Sequence, residues 1–225
     1  FDEVLVKGRN KAGNPVALPI APGIPAGSLS NMIVVKYGES ESIDWIRANA
    51  GDLAAVIVEP IQSRHPEIQP VEFVREIRSL ATAHGFALVF DEVVTGFRVH
   101  PGGMQAIWDI KADMATYGKV VGGGMPVGVL AGAARFMDAL DGGMWSYGDE
   151  SAPMTAPTFF AGTFVRHPLV LAACRAVLHH IRGEGAELYS RVAERSERLV
   201  AEIASDLEAR GIRNAEDVVD GHRFL

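Results

Sequence analysis

The chain has 225 residues, 48% hydrophobic and 22% charged, which is enough to bury a domain core and too apolar for a disordered chain. Its formal charge of −7 excludes a general nucleic-acid binder, which needs a basic surface against phosphates. A single cysteine, Cys174, excludes an internal disulfide framework and fits a reducing, cytoplasmic compartment; in the apolar run 168–181 it is expected as a buried, inert thiol.

No apolar stretch is long enough to span a bilayer, and the N-terminus has no signal-peptide pattern. The chain begins with Phe1, and residues 1–6 (FDEVLV) read as the inside of a strand or loop, so it is expected to be a fragment. The first thirty residues hold Pro15, Pro19, Pro22 and Pro25 among several glycines, which predicts an extended surface loop. Residues 32–37 (MIVVKY) predict a strand and residues 42–50 a short helix capped by Ser40 or Ser42.

Residues 54–58 (AAVIV) are apolar throughout, as in a parallel strand covered on both faces, and end at Glu59. Residues 72–84 repeat apolar side chains at helical spacing and stop at Gly85. Residues 86–90 (FALVF) form a second apolar strand ending in Asp91-Glu92. This strand–helix–strand unit predicts an α/β domain with a mainly parallel sheet, with ligands beyond the strand ends where Glu59 and Asp91 fall. Further on, residues 114–117 lead into Gly118-Lys119 and the glycines 122–124, and residues 127–134 read as another strand. Residues 142–164 form a long loop of the kind that is often functional or mobile. Helices are expected over 168–181 and 186–209, and no period is visible from Gly211 onward.

Several chemistries drop out on motif grounds. Around Lys119 the P-loop pattern fails, with Asp113 at its first glycine and Val120 at its hydroxyl position. No G-x-G-x-x-G, H-E-x-x-H, cysteine pair or G-x-S-x-G occurs, and the sequential His179-His180 point in different directions on a helix, so no metal site is expected. What remains is a strand-end carboxylate, Asp91, and a lysine in a tight glycine setting, Lys119, 28 residues apart. A lysine between glycine and Val-Val is expected as a buried amine, which desolvation would make nucleophilic. Such a pair suits pyridoxal chemistry, in which a carboxylate keeps the ring nitrogen protonated and a lysine binds the aldehyde. On spacing alone, a helix-capping acid and a lysine exposed on a turn remain the alternative.

Residues 89–98 (VFDEVVTGFR) and 117–128 (YGKVVGGGMPVG) resemble the two signature segments of class III (fold type I) aminotransferases, in the glutamate-1-semialdehyde aminotransferase-like branch. Residues 55–61 (AVIVEPI) and 161–168 (AGTFVRHP) resemble two further family blocks in the same order. The resemblance implies a fold type I large domain, a mainly parallel sheet in an α/β/α sandwich, over residues 1–182, with a connecting helix and the start of a small C-terminal domain over 183–225. It implies pyridoxal 5′-phosphate as cofactor, Lys119 as the catalytic Schiff-base lysine, Asp91 on the pyridine nitrogen and Thr163 on the phosphate in the neighbouring subunit of a homodimer. Val93 would pack on one ring face or serve only as core, Glu59 would be a structural acid near the site, and Arg98 would orient the Asp91 turn. The family's phosphate-binding Gly-Ser/Thr cup and its ring-stacking aromatic have no counterpart here.

The implied reaction is amino transfer from a small-molecule donor to a keto or aldehyde acceptor. The wording of residues 62–70 (QSRHPEIQP) resembles aminotransferase domains of polyketide–nonribosomal peptide synthases, which implies a carrier protein bearing a β-ketoacyl thioester, with 142–160 as a lid or carrier contact or simply a mobile loop. A glutamate-1-semialdehyde-type aminomutase and a non-catalytic interaction module are the alternatives.

Overall fold

The computed structural model describes residues 6–11 and 14–211, which fall into two compact units divided between Asn49 and Ala50. Residues 1–5 and the aperiodic tail from 212 lie outside the described residues.

In the first unit, β1 (Val6–Lys11) pairs antiparallel with β2 (Asn14–Pro19), Val6 opposite Pro19 and Lys11 opposite Asn14. This corrects the expected loop. In a two-stranded ribbon each strand keeps an unpaired edge, so Pro15 and Pro19 are tolerated where a central strand would lose ladder bonds. Residues 32–37, expected as a strand, form no strand: 32–36 have no regular structure and residue 37 opens a turn. Their β-branched composition favours extended backbone without supplying a partner. Helix α1 (Ser40–Asn49) follows and buries Ile43 and Ile46.

The second unit is built on a sheet ordered β3 (Ala55–Val58), β4 (Ala87–Asp91), β5 (Met114–Tyr117), β6 (Val129–Gly132). The first three strands are parallel and β6 is antiparallel to β5, giving the α/β, mainly parallel sheet expected. Residues 118–128 make a turn with no crossover helix, so the chain returns antiparallel. Helix α2 (Val71–His84) buries Val74, Ile77, Leu80 and Ala81 and packs on β4. Gly85 ends it with a left-handed φ of +86°.

Strand β4 is buried along its apolar length, but β3 is an edge strand with Ile57 62% exposed, which corrects the expected covering of both its faces. Between β4 and β5 lies a helix the sequence reading did not anticipate, α3 (Gly103–Trp108), whose six residues are too few for a visible period. After α4 (Ala134–Met137), residues 142–167 carry no helix or strand and expose Tyr147, Phe159 and Phe164. Helix α5 (Pro168–Glu184) buries Cys174 as expected, and α6 (Ala186–Ala209) has the limits read from its sequence.

One buried carboxylate ties this unit together at the N-terminal end of β5. Asp113 accepts the Leu88 N–H of β4 at 2.8 Å, Arg78 of α2 at 2.8 Å and Arg135 of α4. Burial alone would raise its carboxyl; the Leu88 N–H and the two guanidinium groups together hold it below the ordinary carboxylate value.

Candidate functional site

Parallel registry sets the site. Val58 lies opposite Phe90, and Asp91 opposite Thr116, so Glu59, Asp91 and the end of β5 reach the same edge of the sheet. In an open α/β sheet that carboxyl edge is where ligands gather.

Asp91 is half-buried and held in one orientation. Its Oδ1 accepts the Val93 N–H at 3.0 Å, across the turn, and the Thr116 hydroxyl at 3.2 Å, across the sheet. No described hydrogen bond falls on Oδ2. A carboxylate with one oxygen anchored and the other free can hold a cationic N–H on a ligand.

Lys119 sits two residues beyond β5 as the first residue of a 3-10 turn over Lys119–Gly122. It is exposed, which corrects the expectation of a buried amine: no described residue closes over it. Its φ of +45° lies in the left-handed region, unusual for a residue other than glycine. The preceding Gly118 is buried, and a Cβ there would stand 3.3 Å from Val93 Cγ1 and 3.2 Å from the Val127 carbonyl oxygen. Val93 therefore lies directly against the lysine turn, and the structure brings Asp91, Val93 and Lys119 to one place.

The other expected residues are placed differently. Glu59, half-buried, accepts the Ser63 N–H at 3.0 Å and so caps the turn after β3. Arg98 donates from Nε to the Val94 carbonyl at 2.9 Å, bracing the turn that follows Asp91. Thr163 is exposed on the turn before α5, and no described hydrogen bond ties it to the strand ends.

Sequence reasoning missed the support beneath the site. Glu92 is fully buried and accepts the Thr95 hydroxyl at 2.9 Å, the Met104 N–H at 2.9 Å and the Gln105 N–H at 3.3 Å, so it caps α3. Thr116 was missed as well. Only the strand register reveals it, although the adjacent Asp91-Glu92 pair was a visible hint that one acid faces inward. Among the described residues no group of three or more His, Cys, Asp or Glu could hold a metal ion. The arrangement is an oriented carboxylate and an exposed lysine at adjacent strand ends.

Residues 19–218 match the class-III aminotransferase family. A glutamate-1-semialdehyde 2,1-aminomutase from Pyrobaculum calidifontis is 40% identical over 211 residues, covering 93% of this chain and 44% of that protein. The crystal structure of an omega-transaminase from Sphaerobacter thermophilus superposes with a TM-score of 0.76 at 28% identity, over 94% of this chain and 47% of that one. A transaminase solved with PLP bound gives the same TM-score and coverage at 25% identity. The chain thus spans less than half the length of these relatives.

Proposed function

The chain belongs to the class-III aminotransferases, and on that footing we propose that it is the cofactor-holding part of a pyridoxal 5′-phosphate-dependent amino-group transferase in which Lys119 carries the cofactor. Bound, the cofactor supplies an aldehyde that takes up amino groups and a protonated ring that draws off electrons. The residues present fit it. Asp91 keeps Oδ2 free for a ring N–H, Val93 offers an apolar surface beside the turn, and Lys119 offers an accessible amine. The observation that carries the reading is the parallel β4–β5 registry, which puts Asp91 and the lysine turn at adjacent strand ends.

In this scheme Asp91 holds the proton on the ring nitrogen, oriented by Val93 N–H and Thr116. Lys119 would hold the cofactor through Nζ and, once displaced by the substrate's amine, would be the base placed to move a proton at the substrate's amino-bearing carbon. Glu59 and Arg98 fix the turns on either side and do not touch substrate. Thr163 reaches the cofactor phosphate in a second copy of the chain, a homodimer supported by the exposure of Phe159, Phe160 and Phe164 beside it. Residues 1–182 then form the cofactor domain, and 183–225 lead into a second, small one. No helix among the described residues is long and apolar enough to cross a membrane, and a cytoplasmic location rests on cysteine usage alone.

The substrates are a small amino donor and a keto or aldehyde acceptor. The aminomutase reading stands beside it because a 40% identical relative bears that name. A carrier-bound β-ketoacyl acceptor rests only on the wording of residues 62–70. Incubating the full-length enzyme with and without an external amino donor separates the first two, since a mutase turns over without one.

To test the cofactor lysine, the chain is incubated with pyridoxal 5′-phosphate, reduced with borohydride and mapped by peptide mass. The adduct is expected on Lys119 and is expected to vanish in Lys119→Ala. Equal labelling of Lys36, Lys111 and Lys119 would refute the assignment. A non-catalytic module would lose nothing in partner affinity on the same substitution.

A further inference from the structure

Gln105, on α3, is a residue the scheme above leaves idle, yet its carboxamide joins the segment that enters β5 to the side chain of the residue that ends it. Its Oε1 accepts the Ala112 N–H at 2.9 Å, just before β5, and its Nε2 donates to the Tyr117 hydroxyl at 3.3 Å, at the end of β5. The backbone of Gln105 is pinned in turn, because its N–H donates to the fully buried Glu92. Glu92 is the residue after Asp91, and its own N–H donates to the Thr116 carbonyl at 3.0 Å. Hydrogen bonds therefore run from the Asp91 turn through Glu92 and Gln105 to Tyr117, two residues short of Lys119.

Tyr117 is seated by contact as well. A Cβ on Gly96 would lie 2.6 Å from Tyr117 Cδ1 and 2.6 Å from the Glu92 carbonyl oxygen, so the ring rests on bare glycine backbone. The Phe97 ring stands 5.3 Å away on the same turn. Burial first, and then the neighbouring Glu92 carboxylate, push the Tyr117 phenol above its ordinary value, while the Gln105 donor works the other way. Only Gly118 separates this anchored ring from the left-handed backbone of Lys119.

We infer that Gln105 is a positioning residue for Lys119: through Tyr117 it fixes the direction in which the lysine turn leaves β5. This rests on the cofactor-lysine reading above, and it extends the site to a side chain that touches neither cofactor nor substrate. Gln105→Leu keeps the size and removes both side-chain hydrogen bonds. Tyr117→Phe keeps the ring on Gly96 and removes only the hydroxyl.

The readout is the rate of borohydride trapping at Lys119 relative to Lys36 and Lys111, with thermal melting measured on the same samples. In parallel, competitive acetylation without cofactor reads the reactivity of the same amines. Both variants are expected to lower the Lys119 ratio in both assays by about fivefold, the scale of one net hydrogen bond, with no further loss in the double variant. An unchanged ratio in Tyr117→Phe overturns the inference whatever Gln105→Leu does, including a failure of that variant to fold. An equal fall at Lys36 and Lys111 also overturns it, because that is general loosening. If parent Lys119 is acetylated selectively but never trapped by the cofactor, the cofactor reading fails while the acetylation ratios still decide the role of Gln105.

Discussion

Replacing Asp113 by alanine should be among the costliest single changes in the second unit, and the cost can be worked from its three partners. The Leu88 N–H, on a residue with no exposed surface, loses its acceptor; an orphaned buried donor costs roughly 1–3 kcal/mol. Arg78, 20% exposed, loses its carboxylate but keeps the Lys111 carbonyl at 3.3 Å, which limits that loss to about 1 kcal/mol. Arg135 is 57% exposed, so its pair is worth at most about 1 kcal/mol. Together these give about 3 kcal/mol, or a fall of roughly 6–12 °C in melting temperature for a chain of this size. Asp113→Asn keeps an acceptor for Leu88 and should recover about half. Urea unfolding followed by far-UV circular dichroism, at constant m-value, measures both. An alanine variant within about 0.5 kcal/mol of the parent would refute the accounting. The pH dependence supplies a sign. The native carboxyl is depressed, so the unfolded chain binds the proton first and stability rises with pH in that window. The contribution is full above the ordinary carboxylate value and fades as pH falls through the lower native one. Asp113→Asn should flatten that acid limb.

Two glycine substitutions separate backbone strain from collision. Gly85→Ala meets nothing within 4 Å and carries only the cost of its φ of +86°, about 1 kcal/mol in melts. Gly96→Ala drives a methyl into the Tyr117 ring and the Glu92 carbonyl, so it should cost about 1–3 kcal/mol and also lower borohydride trapping at Lys119. If Gly85→Ala proves the more damaging, the packing around Gly96 is misread. Thr116→Val removes one of the two donors on Asp91 Oδ1 without changing shape. Cofactor retention in dialysis should fall about fivefold while the melt stays within ~1 kcal/mol.

Legibility differed between elements for physical reasons. Helices α2 and α6 were readable because long amphipathic stretches average out local exceptions, and Gly85 supplies an unambiguous stop. The β1–β2 hairpin was not, since its prolines argue against a strand unless the ribbon's open edges are known. Residues 32–37 show the converse, strand-like composition with no ladder. At the site, Asp91 and Lys119 were visible from sequence blocks, but their support was not. Thr116, Gln105 and Tyr117 reach Asp91 or the lysine turn only through strand register and tertiary hydrogen bonds. Burial of Lys119 was misjudged because composition reports what flanks a residue in the chain, whereas exposure depends on what stands over it in space.

The backbone of Lys119 bears on the role proposed for its side chain. A non-glycine residue at φ +45° pays a left-handed penalty of about 1 kcal/mol that glycine escapes. Glycine occupies 118, 122, 123 and 124 around it, so local composition already favours the cheaper residue. A strained position that nevertheless holds a long cationic side chain points to chemistry rather than folding. Lys119→Gly should therefore be more stable than Lys119→Ala, by about 0.5 kcal/mol at most once the extra freedom of unfolded glycine is deducted. Both variants should lose borohydride-trapped cofactor completely. Urea melts of the two, run beside the parent, decide the matter. A glycine variant less stable than the alanine one would mean that the left-handed turn carries no strain, and the lysine would then need no functional reason to sit there.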